Sequence, residues 1–188
     1  ASGGHLDLDG TYTNNLPLAV TGGTLTLSGN WLNAGELRLT NSVLNLDGVF
    51  GLGDLGAIVR IGSTVRVTGT LLGAGGTLSL DSSTGSWSMN AGALRQLTIN
   101  ATGGALLLGT SGTLDGVTLN CDLDVIVGSL TITNGLTLNG LARLGSPSAV
   151  NQNGNLAFAG GQALSGGGAV AFGISGCNAL RTLLARAT

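Results

Sequence analysis

The sequence contains no lysine, a single glutamate (Glu36) and only two prolines, Pro17 and Pro147. Charged residues make up 9% of the 188 positions, aromatic residues 3%, and the formal net charge is −2. The seven arginines are scattered and form no basic stripe that could neutralise phosphates, so nucleic acid is not an expected partner. Polar residues or glycine interrupt each apolar run well before the roughly 18 residues that a membrane span needs, so we expect no membrane insertion of this segment.

Cysteine is scarce as well, with Cys121 and Cys177 alone. Two cysteines are too few for a disulfide framework, and these two are too far apart in sequence for a metal-ligand pair. We expect free thiols, and the sequence predicts no cofactor and no metal ion.

Glycine, in contrast, is abundant, at 35 of 188 residues, without the three-residue period of collagen. Triplets of the form apolar–any–apolar recur about every 19 to 22 residues in two independent series. The first series begins at Leu6, Leu25, Leu44, Val65, Trp87, Leu106 and Val125. The second begins at Leu18, Leu37, Val59, Leu78, Leu97, Val117, Leu136 and Leu156. Alternation of this kind is typical of short strands with one buried face.

The period predicts an all-β protein, a right-handed parallel β-helix (β-solenoid) with coils of about 20 residues. Eight or nine coils stacked at about 4.8 Å would give a rod roughly 40 Å long. Residues 1–175 are expected to form the solenoid. Residues 176–188, in which Leu180, Leu183 and Leu184 share a helical face after Asn178, are expected to form a short C-terminal capping helix.

Polar residues recur beside the second series of triplets. Asp81, Asn100, Asn120 and Asn139 follow successive triplets, and we expect them to form a ladder of side-chain hydrogen bonds. Their neighbours Ser79, Thr98, Thr118 and Thr137 predict a second polar column. The glycines Gly10, Gly29, Gly48 and Gly69 mark a recurring corner where positive φ is expected.

One repeat carries a closer motif. Gly23-Thr24-Leu25-Thr26-Leu27-Ser28-Gly29 and the following Ala34-Gly35-Glu36-Leu37-Arg38-Leu39 resemble the repeats of bacterial autotransporter passengers, and the 19-residue period is similar to that of filamentous-haemagglutinin-type adhesins. The resemblance implies a parallel β-helix on the bacterial surface that acts as a stalk or adhesive passenger.

Catalytic constellations are not evident in the sequence. Asp7 with Asp9, and Asp122 with Asp124, each place two carboxylates on one side of a strand, but such pairs are more often solvated corner residues. His5 lacks an oriented partner in the sequence, so no residue is predicted to be catalytic. Leu107 and Ile126 are expected to face outward in successive coils and form a small apolar contact patch.

The sequence therefore predicts a non-enzymatic structural or adhesive segment of a secreted or surface protein from a bacterium, a stiff stalk able to present a binding surface. Two alternatives remain: a polysaccharide-acting β-helix enzyme or phage tailspike-like protein, and a self-assembling scaffold. The expected partners are host or matrix glycans or proteins, or a second copy bound end to end. An ice-binding face is not predicted, because threonine does not recur at the outward positions of the first series.

Overall fold

Short strands and tight corners alternate throughout the computed structural model, which describes residues 3–183. The described chain winds into about nine coils of about 21 residues, and neighbouring coils pair through parallel strands. The predicted β-solenoid is therefore confirmed. Each full coil contributes one strand or part of a strand to each of three faces, which we number in chain order.

The first face has nine rungs. They are β1 (His5–Leu8), β4 (Thr24–Leu27), β7 (Val43–Leu46), β10 (Thr64–Val67), the beginnings of β13 (Trp87–Arg95) and β15 (Leu107–Asn120), β16 (Leu123–Val125), β18 (Leu141–Leu144) and β21 (Ala169–Phe172).

The second face contains the weaker strand that lies between the two triplet series. Its rungs are β2 (Thr11–Asn14), β5 (Asn30–Asn33), β8 (Val49–Gly51), β11 (Thr70–Leu72), the later part of β13, the middle of β15, the start of β17 (Gly128–Leu138), β19 (Gly154–Ala159) and β22 (Ala179–Leu183). A single turn of 3-10 helix, Leu52–Asp54, follows β8.

The third face has one rung fewer. It comprises β3 (Leu18–Thr21), β6 (Glu36–Thr40), β9 (Ala57–Ile61), β12 (Thr77–Leu80), β14 (Thr98–Ala101), the ends of β15 and β17, and β20 (Leu164–Ser165). Its ladder is interrupted between β9 and β12, so β3, β6 and β9 form a separate sheet.

Stacked apolar side chains fill the interior of the solenoid. On the first face one inward column passes through all nine coils, with these members: Leu6, Leu25, Leu44, Val65, Trp87, Leu107, Leu123, Ala142 and Val170. Seven of these side chains, Leu25 to Ala142, are at most 2% exposed. Each coil thus buries its apolar face against the next, which is the main source of stability in a stacked repeat protein.

Both tryptophans and Phe50 occupy the interior. Trp31 and Phe50 stack in consecutive coils with ring centroids 4.8 Å apart, and the Trp31 indole donates to the carbonyl oxygen of Asp47 at 2.8 Å. Trp87 is 2% exposed. Both tryptophans therefore fill the core.

Glycines at one corner stack directly on each other. Gly10, Gly29 and Gly48 have φ of 100°, 82° and 73°. A Cβ on Gly48 would overlap the backbone of Gly29, and one on Gly69 would overlap that of Gly48. Positive φ was expected at all four positions and holds at three, whereas Gly69 is required by close approach alone.

The predicted C-terminal helix is wrong for the residues that the structure describes. Ala179–Leu183 is strand β22, which pairs in parallel with β19, and Leu180 lies opposite Leu156. The amide and carbonyl groups of β19 offer an extended segment a full set of backbone hydrogen bonds, and this outweighs the helical spacing of the leucines. The solenoid therefore continues past residue 175, and residues 184–188 of the predicted cap lie outside the described residues.

Candidate binding face

The third face presents two outward rows of polar side chains over coils four to eight. The first row consists of hydroxyl groups, those of Thr77, Thr98, Thr118, Thr137 and Ser165. The residues between the two rows, among them Ile99 and Leu119, are buried, which fixes the direction of both rows.

The second row contains carboxamides two residues further along each strand. Asn139 donates to Asn120 at 2.7 Å, and Asn120 donates to Asn100 at 2.8 Å. The side-chain oxygen of Asn139 then accepts from the backbone amide of Gly167 in the next coil, at 3.1 Å. We call the two rows together, with Ser79 at the start of the second, the Thr/Asn face.

Asp81 does not belong to the ladder, contrary to the expectation. Ser79 pairs with Asn100, so Asp81 lies two residues beyond the row. Its carboxylate instead accepts from the hydroxyl and amide of Ser83 and from Thr84, and these bonds lower the pKa of Asp81 to about 2. The same shift puts Thr77 rather than Ser79 in the hydroxyl row.

A depression of about 580 Å³ adjoins the carboxamide row. It is lined by the corner 101–106 and by Asn120, Cys121, Asp122, Asn139 and Gly140. The cysteine thiol is largely buried, and burial raises the pKa of Cys121 to about 11. Neither Cys121 nor Cys177 forms a disulfide, as predicted.

An arginine bridges two carboxylates beside this depression. Arg143 donates to Asp122 at 2.7 Å and to Asp124 at 2.9 Å. The hydrogen bond from the backbone amide of Leu141 is the largest cause that lowers the pKa of Asp122, and Arg143 lowers it further. The two carboxylates in turn raise the pKa of Arg143. The Asp122–Asp124 pair thus converges on one cation, and one of the two negative charges remains uncompensated.

The other carboxylate pair does not converge on a groove. Asp7 bonds His5 at 2.6 Å, and Asp9 accepts from the amide of Gly10 and the hydroxyl of Ser28. These contacts lie within one coil or between two neighbouring coils at an exposed corner, as expected for solvated corner residues.

The apolar contact patch predicted at Leu107 and Ile126 is not formed. Leu107 is 1% exposed and belongs to the inward column, opposite Trp87 and Leu123. Ile126 follows β16 and is half-buried. Strand β15 begins one residue later than the triplet pattern suggests, so Leu108, at 37% exposed, faces outward instead.

A second, internal ladder was missed. Asn14 donates to Asn33 at 2.7 Å, and the buried Asn33 donates to the carbonyl oxygen of Leu55 at 2.9 Å. The 19-residue spacing of Asn14 and Asn33 is the signal that could have revealed it.

Among residues 3–183, no cluster of three metal-ligating side chains is present, and no helix is long and apolar enough to span a bilayer. Comparisons with protein-family models, with curated proteins and with solved structures find no match for this chain. The structure therefore defines the class, a three-faced parallel β-solenoid, and the class alone.

Proposed function

We propose that this chain is a non-enzymatic structural and adhesive segment of a bacterial secreted or cell-surface protein, a stiff stalk that presents the Thr/Asn face. The observation that carries the proposal is the unbroken inward column from Leu6 to Val170. A continuous core with backbone pairing in every coil makes the solenoid resist bending. A rod of this kind is better suited to presenting a binding surface than to catalysing a reaction.

The chemistry beside the depression supports a non-enzymatic role. A glycosidase needs one carboxyl group that stays protonated as a general acid, which requires a raised pKa. The pKa of Asp122 is lowered instead, and its carboxylate is already bound to Arg143 and Leu141. This arrangement suits a structural ion pair better than proton transfer.

Binding to arrays of matrix proteins and glycans tests the adhesive role. We expect specific signals that disappear when the chain is heat-unfolded before application. An array without any signal would leave the stalk role alone.

Two further measurements test the alternatives. Release of reducing ends from a panel of polysaccharides, abolished by Asp122→Asn, would overturn the non-enzymatic assignment.

Light scattering over a hundredfold concentration range tests end-to-end assembly, and a constant monomer mass is the result expected for a stalk.

Labelling by antibody on intact source cells tests the location. We expect surface or medium-associated signal without permeabilisation. Signal that requires permeabilisation would contradict a secreted or surface role.

A further inference from the structure

The Thr/Asn face carries hydrogen-bonding groups in five consecutive coils, and neither row contains a charged side chain from Thr77 to Ser165. Adjacent coils lie about 4.8 Å apart, and residues two apart on a strand lie about 6.6 Å apart. The result is a regular grid of hydroxyls and carboxamides along the solenoid axis.

The hydroxyl row is available for binding. Within the described part of the chain, the hydroxyls of Thr77, Thr98 and Thr118 make no hydrogen bond, whereas those of Thr137 and Ser165 pair at 3.1 Å. Each unpaired hydroxyl offers one donor and two acceptor sites to a ligand.

The ladder holds the carboxamides in place but does not use all of their hydrogen-bond donors and acceptors. A carboxamide has two donor hydrogens and two acceptor lone pairs, and the ladder uses one of each on Asn120. The remaining donor and acceptor are available at an exposed residue. Since the ladder already fixes the side chains, little conformational entropy is lost when a ligand binds.

The surroundings favour a neutral, extended ligand. The depression of about 580 Å³ that Asn120 and Asn139 line leaves room for a ligand directly beside the carboxamide row. Arg143 is engaged by Asp122 and Asp124, so its guanidinium is not free to attract an anionic polymer.

We propose that the Thr/Asn face binds a linear, uncharged polysaccharide that lies along the solenoid axis, with about one sugar facing each coil. The coil spacing is comparable with the length of one pyranose ring, and sugar hydroxyls match the alternating donors and acceptors of the rows. This proposal rests on the adhesive role and names the ligand class for it. Neither row contains an aromatic platform, so each sugar binds weakly and affinity grows with polymer length.

Affinity electrophoresis in native gels tests the proposal. The gels contain hydroxyethyl cellulose, linear mannan or laminarin as neutral polymers and polygalacturonate as the anionic comparison. We expect retardation by at least one neutral polymer, stronger for long chains than for trisaccharides, and none by polygalacturonate.

The variant Thr98→Val/Thr118→Val removes two neighbouring hydroxyls and keeps the β-branched shape. We expect its affinity to fall at least about fivefold, since each lost hydrogen bond contributes about 0.5–1.5 kcal/mol. The matched control is Thr113→Val/Thr131→Val, a pair of facing residues on the second face. It should bind like the unmodified chain, and circular dichroism should show both variants folded.

Three results would overturn the proposal: no retardation by any neutral polymer, equal loss in both double variants, or retardation by the anionic polymer alone. Inhibition of ice recrystallisation that the Thr98/Thr118 variant loses, without polymer retardation, would assign the rows to ordered water instead. Small-angle scattering of the same samples tests the rod separately, so failure of the stalk and failure of this ligand assignment are distinguishable.

Discussion

The side chain of Asn139 donates a hydrogen bond to the side chain of Asn120 one coil earlier, at 2.7 Å. Asn120 is thereby bonded on both sides, since it donates in turn to Asn100. The ladder joins three coils at a surface position where apolar packing contributes little.

Removal of the central ladder residue should destabilise the solenoid. We expect Asn120→Ala to lower the free energy of unfolding by about 1–2 kcal/mol, because two hydrogen bonds are lost at an exposed site. Urea denaturation measures the change. Asn90→Ala is the control, since Asn90 is exposed and its side chain makes no hydrogen bond within residues 3–183. Equal effects of the two substitutions would contradict a stabilising ladder.

The stacked glycine corner should tolerate no side chain. Gly48→Ala should cost at least about 2 kcal/mol, because the left-handed backbone is strained for alanine by about 1–2 kcal/mol and the new Cβ would meet the Gly29 backbone. Gly53→Ala is the matched control, as open space surrounds Gly53, and should change stability by less than about 0.5 kcal/mol. Thermal unfolding of both variants compares them, and an unaffected Gly48→Ala would contradict the argument.

Arg143→Met should destabilise the protein at neutral pH and less in acid. The backbone amide of Leu141 and, to a smaller extent, Arg143 lower the folded-state pKa of Asp122, and Arg143→Met removes the smaller of these two contributions. The stability that Arg143 adds is present above the unfolded value of about 3.9 and is lost as the pH falls through the folded pKa. The groups are substantially exposed, so we expect a difference below about 1 kcal/mol at pH 7 that shrinks near pH 3.

Urea midpoints at both pH values provide the measurement for Arg143→Met. Arg38→Met, which breaks a more exposed pair with Glu36, is the control and should have the smaller effect at pH 7. If the loss of stability in Arg143→Met is the same at both pH values, it results from lost packing rather than from lost charge interactions, and the prediction is wrong.

The two cysteines should differ in reactivity. Burial raises the pKa of Cys121 to about 11, so little thiolate exists at pH 8, whereas Cys177 is exposed. We expect thiol reagents to modify one cysteine in the native protein and two in urea. Rapid modification of both in the native state would show that the coil around Cys121 opens readily.

The number of coils and most inward positions were predictable, because alternation can be read directly from the sequence. The triplet that begins at Val59 is an exception: Val59 and Ile61 are 45% and 69% exposed, and Ile58 lies opposite the buried Leu37 instead. The register between neighbouring coils was harder to predict. Between β12 and β14 the register differs by two residues from the one that the triplets predict. A shift of two residues leaves the inward and outward positions unchanged, so the hydrophobic pattern does not reveal that Asp81 lies outside the ladder. Corner length, here that of residues 81–86, determines such shifts, and no hydrophobic pattern records it.

At Leu107 it was the inward or outward direction, rather than the register, that the sequence did not determine. Leu106, Leu107 and Leu108 are all apolar, so alternation does not determine which of them faces inward, and the inferred direction was reversed. The C-terminal leucines were compatible with a helix, and only the unpaired edge of β19 favours a strand there. Each of these errors depends on a neighbour in space that the local sequence does not reveal.

The parallel pairings described above connect each coil with the coils immediately before and after it. Cooperativity in such a stack passes from neighbour to neighbour, as in a one-dimensional chain of coupled units. Folding can therefore begin in one pair of neighbouring coils and spread outward to the coils on either side. Under load along the axis, a coil with weak coupling would yield first while its neighbours remain folded.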